Sequence, residues 1–132
     1  MNKCINKCRG EFPDARFIFC NATSCGHDGQ SAAKRILNDI KNEIHAGPEG
    51  EEASYAKVEK YLASRRTSPL VLVLDEIDML LSYSNRSIDK LSGGDMLIKN
   101  LLNWAANPEC SFVVIGISNA VDNGYTERLQ SL

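Results

Sequence analysis

Five consecutive apolar residues, Leu70-Val71-Leu72-Val73-Leu74, stand between Pro69 and an acidic exit, Asp75-Glu76. A strand with one wet face alternates apolar and polar side chains, and this run does not alternate. It therefore predicts a strand covered on both faces, the place of a central strand in a parallel sheet. Two other segments fit beside it. Arg16-Phe17-Ile18-Phe19-Cys20, between a Pro13-Asp14 turn and a loop over 21–26, reads as a strand, and so does Phe112-Val113-Val114-Ile115-Gly116-Ile117. The stretches between them carry helical period. Over 30–45 the stripe is Ala33, Ile36, Leu37, Ile40 and Ile44, with Lys34, Lys41 and Glu43 off it. Over 51–65 it is Tyr55, Val58 and Leu62, and over 95–106 it is Leu97, Ile98, Leu101, Leu102 and Ala105. Residues 46–50 and Asn107-Pro108 are stop signals. The polar stretch 82–94, with its Gly93-Gly94 pair, reads as a surface loop, and a last amphipathic piece starts near Tyr125. Strands alternating with helices predict an α/β fold, a parallel-sheet three-layer sandwich with right-handed crossovers.

Composition narrows the function classes. The chain has 132 residues, 43% hydrophobic and 24% charged, with 15 Lys plus Arg against 17 Asp plus Glu. That is the make-up of one folded domain over residues 1–132, globular rather than disordered or fibrous. A net charge of −2 argues against a strongly basic nucleic-acid module. The five-residue run is far too short to span a bilayer, and no basic-then-apolar leader opens the chain, so a cytosolic or nuclear protein is expected. An odd count of five Cys then points to reduced thiols. Cys4, Cys8, Cys20 and Cys25, with His27 nearby, are spaced more loosely than the ligands of short zinc knuckles. Lys57, Lys60, Arg65 and Arg66 read as a solvated basic face, Trp104 as a core residue and Ser68-Pro69 as a strand entry.

The chemistry concentrates where the central strand ends. Ligands of open parallel sheets bind beyond the carboxyl ends of the strands. An Asp at that point, Asp75, can hold Mg²⁺ through water, because Mg²⁺ keeps much of its hydration shell. The next residue, Glu76, can accept a proton from, or orient, a water attacking a γ-phosphate. The plain alternative is a pair of acids that favours a following helix N-terminus. Asp78 reads as a turn or cap residue. Past the third strand, Ser118-Asn119 places an amide beside the acids, able to donate to a phosphate oxygen and accept from a water.

These residues resemble a known group. Leu72-Val73-Leu74-Asp75-Glu76-Ile77-Asp78 looks like the Walker B segment of P-loop nucleotidases. Together with Val114-Ile115-Gly116-Ile117-Ser118-Asn119-Ala120-Val121-Asp122, which looks like a sensor 1 segment, it resembles the AAA+ replication-initiator ATPases. Within that group the likeness is to the cell division control protein 6 type and the largest subunit of the origin recognition complex. Phe17 to Ser24, with an Asn21-x-x-Ser24 exit, is similar to the family's second strand, and Leu101-Leu102-Asn103-Trp104 resembles its helix before sensor 1. The resemblance covers roughly residues 15–132. It implies a P-loop NTPase core with strands two, three and four side by side, and the cofactors ATP and Mg²⁺. Asp75 would serve as the metal residue, Glu76 as the water-activating residue and Asn119 as the sensor, with Asp75, Glu76 and Asn119 together at the nucleotide. It further implies nuclear work in replication licensing, with origin recognition complex subunits, the replicative helicase and DNA as partners of the intact family.

The sequence also departs from that pattern. No Gly-x-x-x-x-Gly-Lys-Ser/Thr occurs in the 132 residues. The expectation is thus a partial core, from the second strand through the sensor 1 region, lacking the phosphate loop, the lid and the winged helix. Such a chain is not expected to hydrolyse ATP alone. Two other readings stay open: a non-catalytic interaction module that retains the acids without their chemistry, and a fragment of a DEAD-type helicase, whose motif II also matches Asp75 to Leu81.

Overall fold

The computed structural model describes residues 2–64, 68–81, 92–119, 127 and 129–132. Three strands, β1 (Arg16–Asn21), β2 (Leu70–Asp75) and β3 (Phe112–Ile117), form one parallel sheet in the order β1-β2-β3. Arg16 pairs with Leu70 and Leu70 with Phe112, and this register runs unbroken to Asn21, Asp75 and Ile117. The unalternating run therefore is the central strand. Leu70, Leu72 and Leu74 are all but sealed, and Val73 is buried on the other side. The α/β class and the side-by-side parallel strands expected from the sequence are what the chain adopts.

Helices α1 (Asn2–Glu11), α2 (Ala22–Cys25), α3 (Gly29–Glu43), α4 (Tyr55–Ser64) and α5 (Gly93–Ala106) complete the order. A 3-10 turn, Ile77–Leu80, follows β2. Helix α3 starts where Asp28 and Ser31 cap each other, side chain to backbone in both directions. Its stripe is buried as expected, from Ala33 to Ile40, and Ile44 just beyond its end is buried too. The same reciprocal cap, Ser92 with Asp95, starts α5. Helices α3 and α5 pack against each other and against the sheet, and α4 adds Val58 and Leu62 to the same core.

Period-two alternation assigns the two sheet faces. Ile18, Cys20, Leu70, Leu72, Leu74, Phe112 and Val114 share the core with these helices. Phe17, Phe19, Val71, Val73, Val113 and Ile115 fall on the opposite face. Among the described residues only α1 approaches that face, bordering a groove of about 460 Å³ lined by Cys8, Phe12, Phe17, Val71 and Val113. Val113 and Ile115 remain 46% and 47% exposed. Two layers are filled, and the third holds α1 alone among the described residues.

Several sequence expectations need correction. Helix α1 was not anticipated, and the second helix begins at Tyr55 rather than near residue 51. Gly93-Gly94, read as part of a surface loop, opens α5, while most of that loop, residues 82–91, lies outside the described residues. Within α5, Leu102 and Ala105, expected on the buried stripe, face solvent, while Leu97, Ile98, Leu101 and Trp104 are buried as expected. The basic residues Arg65 and Arg66, and residues 125, 126 and 128 of the last amphipathic piece, also fall outside the described residues, while Leu129 and Leu132 pack against the core.

Lys41 is the most instructive departure. It was read as lying off the buried stripe, yet it is 3% exposed. Its Nζ donates to the carbonyls of Pro48 (2.8 Å) and Glu51, while Asn38 Oδ1 accepts from Ala53 N at 3.0 Å. An ammonium offers three donors, so a turn rich in carbonyls can bury it as an apolar contact could not. These two α3 side chains hold the connection between α3 and α4, which bends through positive φ at His45, Gly47 and Gly50. Lys41→Met keeps the stem and removes the donors. It should cost about 2 kcal/mol in urea unfolding, because two carbonyls lose a charged partner.

Candidate functional site

The parallel register brings the carboxyl ends of all three strands to one edge of the sheet. Asn21, Asp75 and Ile117 lie in one row there, with Ser118 and Asn119 continuing from β3. Asn21 is committed locally: its Oδ1 accepts from Ser24 N at 3.2 Å and caps α2. Asp75 Oδ1 accepts from the Glu76 backbone N–H at 2.9 Å. Asp75 Oδ2 and the Glu76 carboxylate have no hydrogen-bond or ion-pair partner among the described residues. Both side chains are half-buried, and Asn119 is exposed.

Glu76 has φ 54° and ψ 41°, the left-handed region that a residue with a Cβ enters only at a cost. That conformation turns the chain sharply from β2 into the 3-10 turn. Ile77 and Leu80 then point into the core, and Ile77 Cδ1 would be only 3.0 Å from a Cβ on Gly116 of β3. The acidic pair is thus set by a buried strand on one side and a buried turn on the other.

Asp78, expected to be a turn residue, does sit in the turn. Its Oδ1 also accepts from Ser118 Oγ at 3.1 Å, which ties the exit of β3 to the exit of β2. This bond holds the segment leading to Asn119 beside the acidic pair. Sequence reading missed it, since the only signal was two polar residues forty positions apart on strands predicted to be neighbours.

Hard carboxylate oxygens with one free lobe each suit Mg²⁺, which takes one or two protein carboxylates and keeps several waters. The arrangement fits that ion: Asp75 Oδ2 would accept from one of the waters the ion keeps, with Glu76 next in the chain. Among the described residues no group of three or more His, Cys, Asp or Glu is placed to hold a metal by protein ligands alone. Cys4 and Cys8 lie on α1, away from Cys20 and Cys25 at the end of β1 and in α2.

Comparison with known proteins agrees with the geometry. The family model for ATPases associated with various cellular activities (AAA) matches residues 14–130. This chain belongs to the AAA family. A rice (Oryza sativa subsp. japonica) protein named Origin of replication complex subunit 1 is 33% identical over 61 residues, 46% of this chain and 6% of that relative. The matched part is therefore a small share of that relative's length. Membership of the AAA family is what the sequence resemblance implied, and the rice relative is similar over less than half of this chain. No helix among the described residues is long and apolar enough to cross a membrane.

The left-handed Glu76 gives this AAA site a stability test separate from chemistry. Glu76→Gly and Glu76→Ala both remove the carboxylate, but only glycine adopts φ 54° without strain. The glycine variant should be about 1 kcal/mol more stable than the alanine variant in urea unfolding. Equal stabilities would mean that the turn relaxes.

Proposed function

We propose that this AAA-family chain serves DNA replication initiation, contributing the metal and water side of an ATP site. In this reading Asp75 binds Mg²⁺ through water and Glu76 orients or deprotonates the attacking water. Asn119 donates its amide to the γ-phosphate and accepts from that water. The ion, when bound, neutralises charge developing on the transferred phosphoryl group. The observation that carries the reading is the placement of Asp75-Glu76 at the carboxyl end of the central strand, with the β3 exit held alongside by Ser118 and Asp78.

The intact family's work supplies the wider reading: nuclear, in licensing, with origin recognition complex subunits, the replicative helicase and DNA as partners. The likeness to the rice origin-of-replication-complex subunit supports the origin recognition part of it. The 132 residues contain no Gly-Lys-Ser/Thr phosphate loop, and backbone amides of such a loop supply much of a nucleotide's affinity. Turnover by this chain alone should therefore stay at the uncatalysed level. A second reading, an interaction module without chemistry, draws support from the apolar sheet face that α1 leaves open.

Mn²⁺, a paramagnetic stand-in for Mg²⁺, separates the two. It should selectively broaden the amide resonances of residues 75, 76, 118 and 119 in the isolated chain, and Asp75→Asn should abolish that pattern. Broadening confined to Glu49, Glu51 and Glu52 would sink the metal assignment. Failure of the chain to associate with purified origin recognition complex subunits would remove the replication role.

A further inference from the structure

A second cluster of reactive groups lies on the helix-bearing side of the sheet and takes no part in the proposed chemistry. Cys20, the fifth residue of β1, is buried in the core. Cys25 ends α2, the single turn that follows, is half-buried, and packs against the same core. Helix α2 folds back onto β1, onto α3 and onto the 3-10 turn, so it cannot carry Cys25 away from the strand. The two thiols lie near enough to act on each other's ionisation, and Arg35 and Asp39 of α3 are the charged groups that act on both. Gly26, next after Cys25, is pinned: a Cβ there would lie 2.4 Å from Ser31 Oγ and 2.5 Å from the Ala32 nitrogen. The chain between the cysteines is Asn21-Ala22-Thr23-Ser24, closed already by the Asn21 cap.

We propose that Cys20 and Cys25 are a redox couple that closes to an intramolecular disulfide under a low-molecular-weight disulfide oxidant, fastening α2 to the end of β1. With glutathione disulfide, the Cys25 thiolate attacks one oxidant sulfur, the oxidant's S–S bond breaks and one glutathione leaves as its thiolate. Cys20, deprotonated, then attacks the Cys25 sulfur and releases the second glutathione. The protein loses two electrons and two protons; glutathione disulfide gains both and becomes two thiols. The ring formed encloses Asn21, whose backbone is in register with Asp75, so the couple bears on the edge where the acidic pair sits.

The surroundings set how the couple responds. Burial, then the neighbouring Cys25 and Asp39, push the Cys20 thiol up to about 12. Burial, then Asp39, also raises Cys25, while Arg35 pulls both the other way. Peroxides select exposed thiolates, so brief peroxide exposure should oxidise other cysteines first. A sustained shift of the thiol–disulfide ratio is the stimulus this pair can follow.

The experiment is a redox titration of the folded 132-residue chain across glutathione disulfide to glutathione ratios, read by intact mass and peptide mapping. The expected product has lost two hydrogens, carries a Cys20–Cys25 linkage, and is cleaved more slowly within residues 20–26 by protease. Cys25→Ser should abolish that product, and Cys4→Ser/Cys8→Ser should retain it. Three results would overturn the proposal: Cys20 still alkylated on denaturation after full oxidation, a stable mixed disulfide of glutathione at Cys25, or a linkage through Cys4 or Cys8 instead. Because the wild-type map reads the linkage directly, a variant that folds poorly leaves the outcome intact.

Discussion

Gly94→Ala should destabilise the chain by about 3 kcal/mol, at the upper end of the cost of overpacking a core. Gly94 stands in the first turn of α5, directly against the 3-10 turn that follows Glu76. A Cβ at this position would lie 1.9 Å from the Leu80 carbonyl oxygen and 2.7 Å from its carbon. Both are backbone atoms, so no rotamer change relieves the clash, and either α5 or the turn must move. Intrinsic propensity pulls the other way, since alanine is favoured over glycine in a helix by about 1 kcal/mol. The sign of the effect is therefore diagnostic. Gly10→Ala provides the control: Gly10 lies in α1 with no atom within 4 Å of its added Cβ, and it should gain rather than lose stability. Urea unfolding of the two variants side by side checks the contrast, and a Gly94→Ala chain as stable as Gly10→Ala would refute the close fit. The Leu80 carbonyl also faces Gly29 on α3, 3.0 Å from a Cβ there. The turn carrying Asp78 is thus held between the N-terminal turns of two helices, which keeps the exit of β2 where the acidic pair requires it.

Trp104→Ala should be at least as severe. The indole is 1% exposed, meets Phe112 edge-on at 5.9 Å between ring centres and lies tilted against Tyr55 at 6.2 Å. It is where α5, the entry to β3 and α4 meet. Emptying that volume costs about 3–5 kcal/mol, against a total of about 5–15 kcal/mol for a domain. Circular dichroism should show loss of the cooperative thermal transition, or a midpoint lowered by many degrees. Trp104→Phe should be much milder, because Trp104 Nε1 has no hydrogen-bond partner among the described residues and phenylalanine gives up only ring volume. If both variants were equally damaged, the indole nitrogen would have to be doing something the packing does not show.

The parts of the fold legible in the sequence are those governed by local pattern. The unalternating run at 70–74 predicts the central strand, and the spacing from Ala33 to Ile44 predicts the buried stripe of α3, because burial by a sheet imposes those periods directly. What local pattern does not carry is the outcome of contacts between distant segments. Gly93-Gly94 has the composition of a loop, yet it opens a helix capped by Ser92 and Asp95, and at Gly94 the Leu80 carbonyl leaves no room for a side chain. Lys41 has the composition of a surface residue, yet it is buried because the turn over 46–51 presents carbonyls to its ammonium group. Leu102 has the spacing of the buried stripe, yet it faces solvent, and the indole of Trp104, read as core, fills the space between Phe112 and Tyr55. In the candidate site, Asp75, Glu76 and Asn119 were readable from strand exits. The left-handed backbone of Glu76 and the Ser118–Asp78 bond were not, since both depend on how β2 and β3 are registered.

Lys41 has one further consequence. Lysines are ordinarily the residues that amine-reactive labels find first, because they project into water. Here the ammonium group is turned inward and engaged by two carbonyls, while Lys34, Lys57, Lys60 and Lys99 stay exposed. The folded chain therefore carries an internal clock for its α3–α4 connection: the moment at which Lys41 becomes labelled marks the opening of that segment, with the other lysines keeping time as the fast reference.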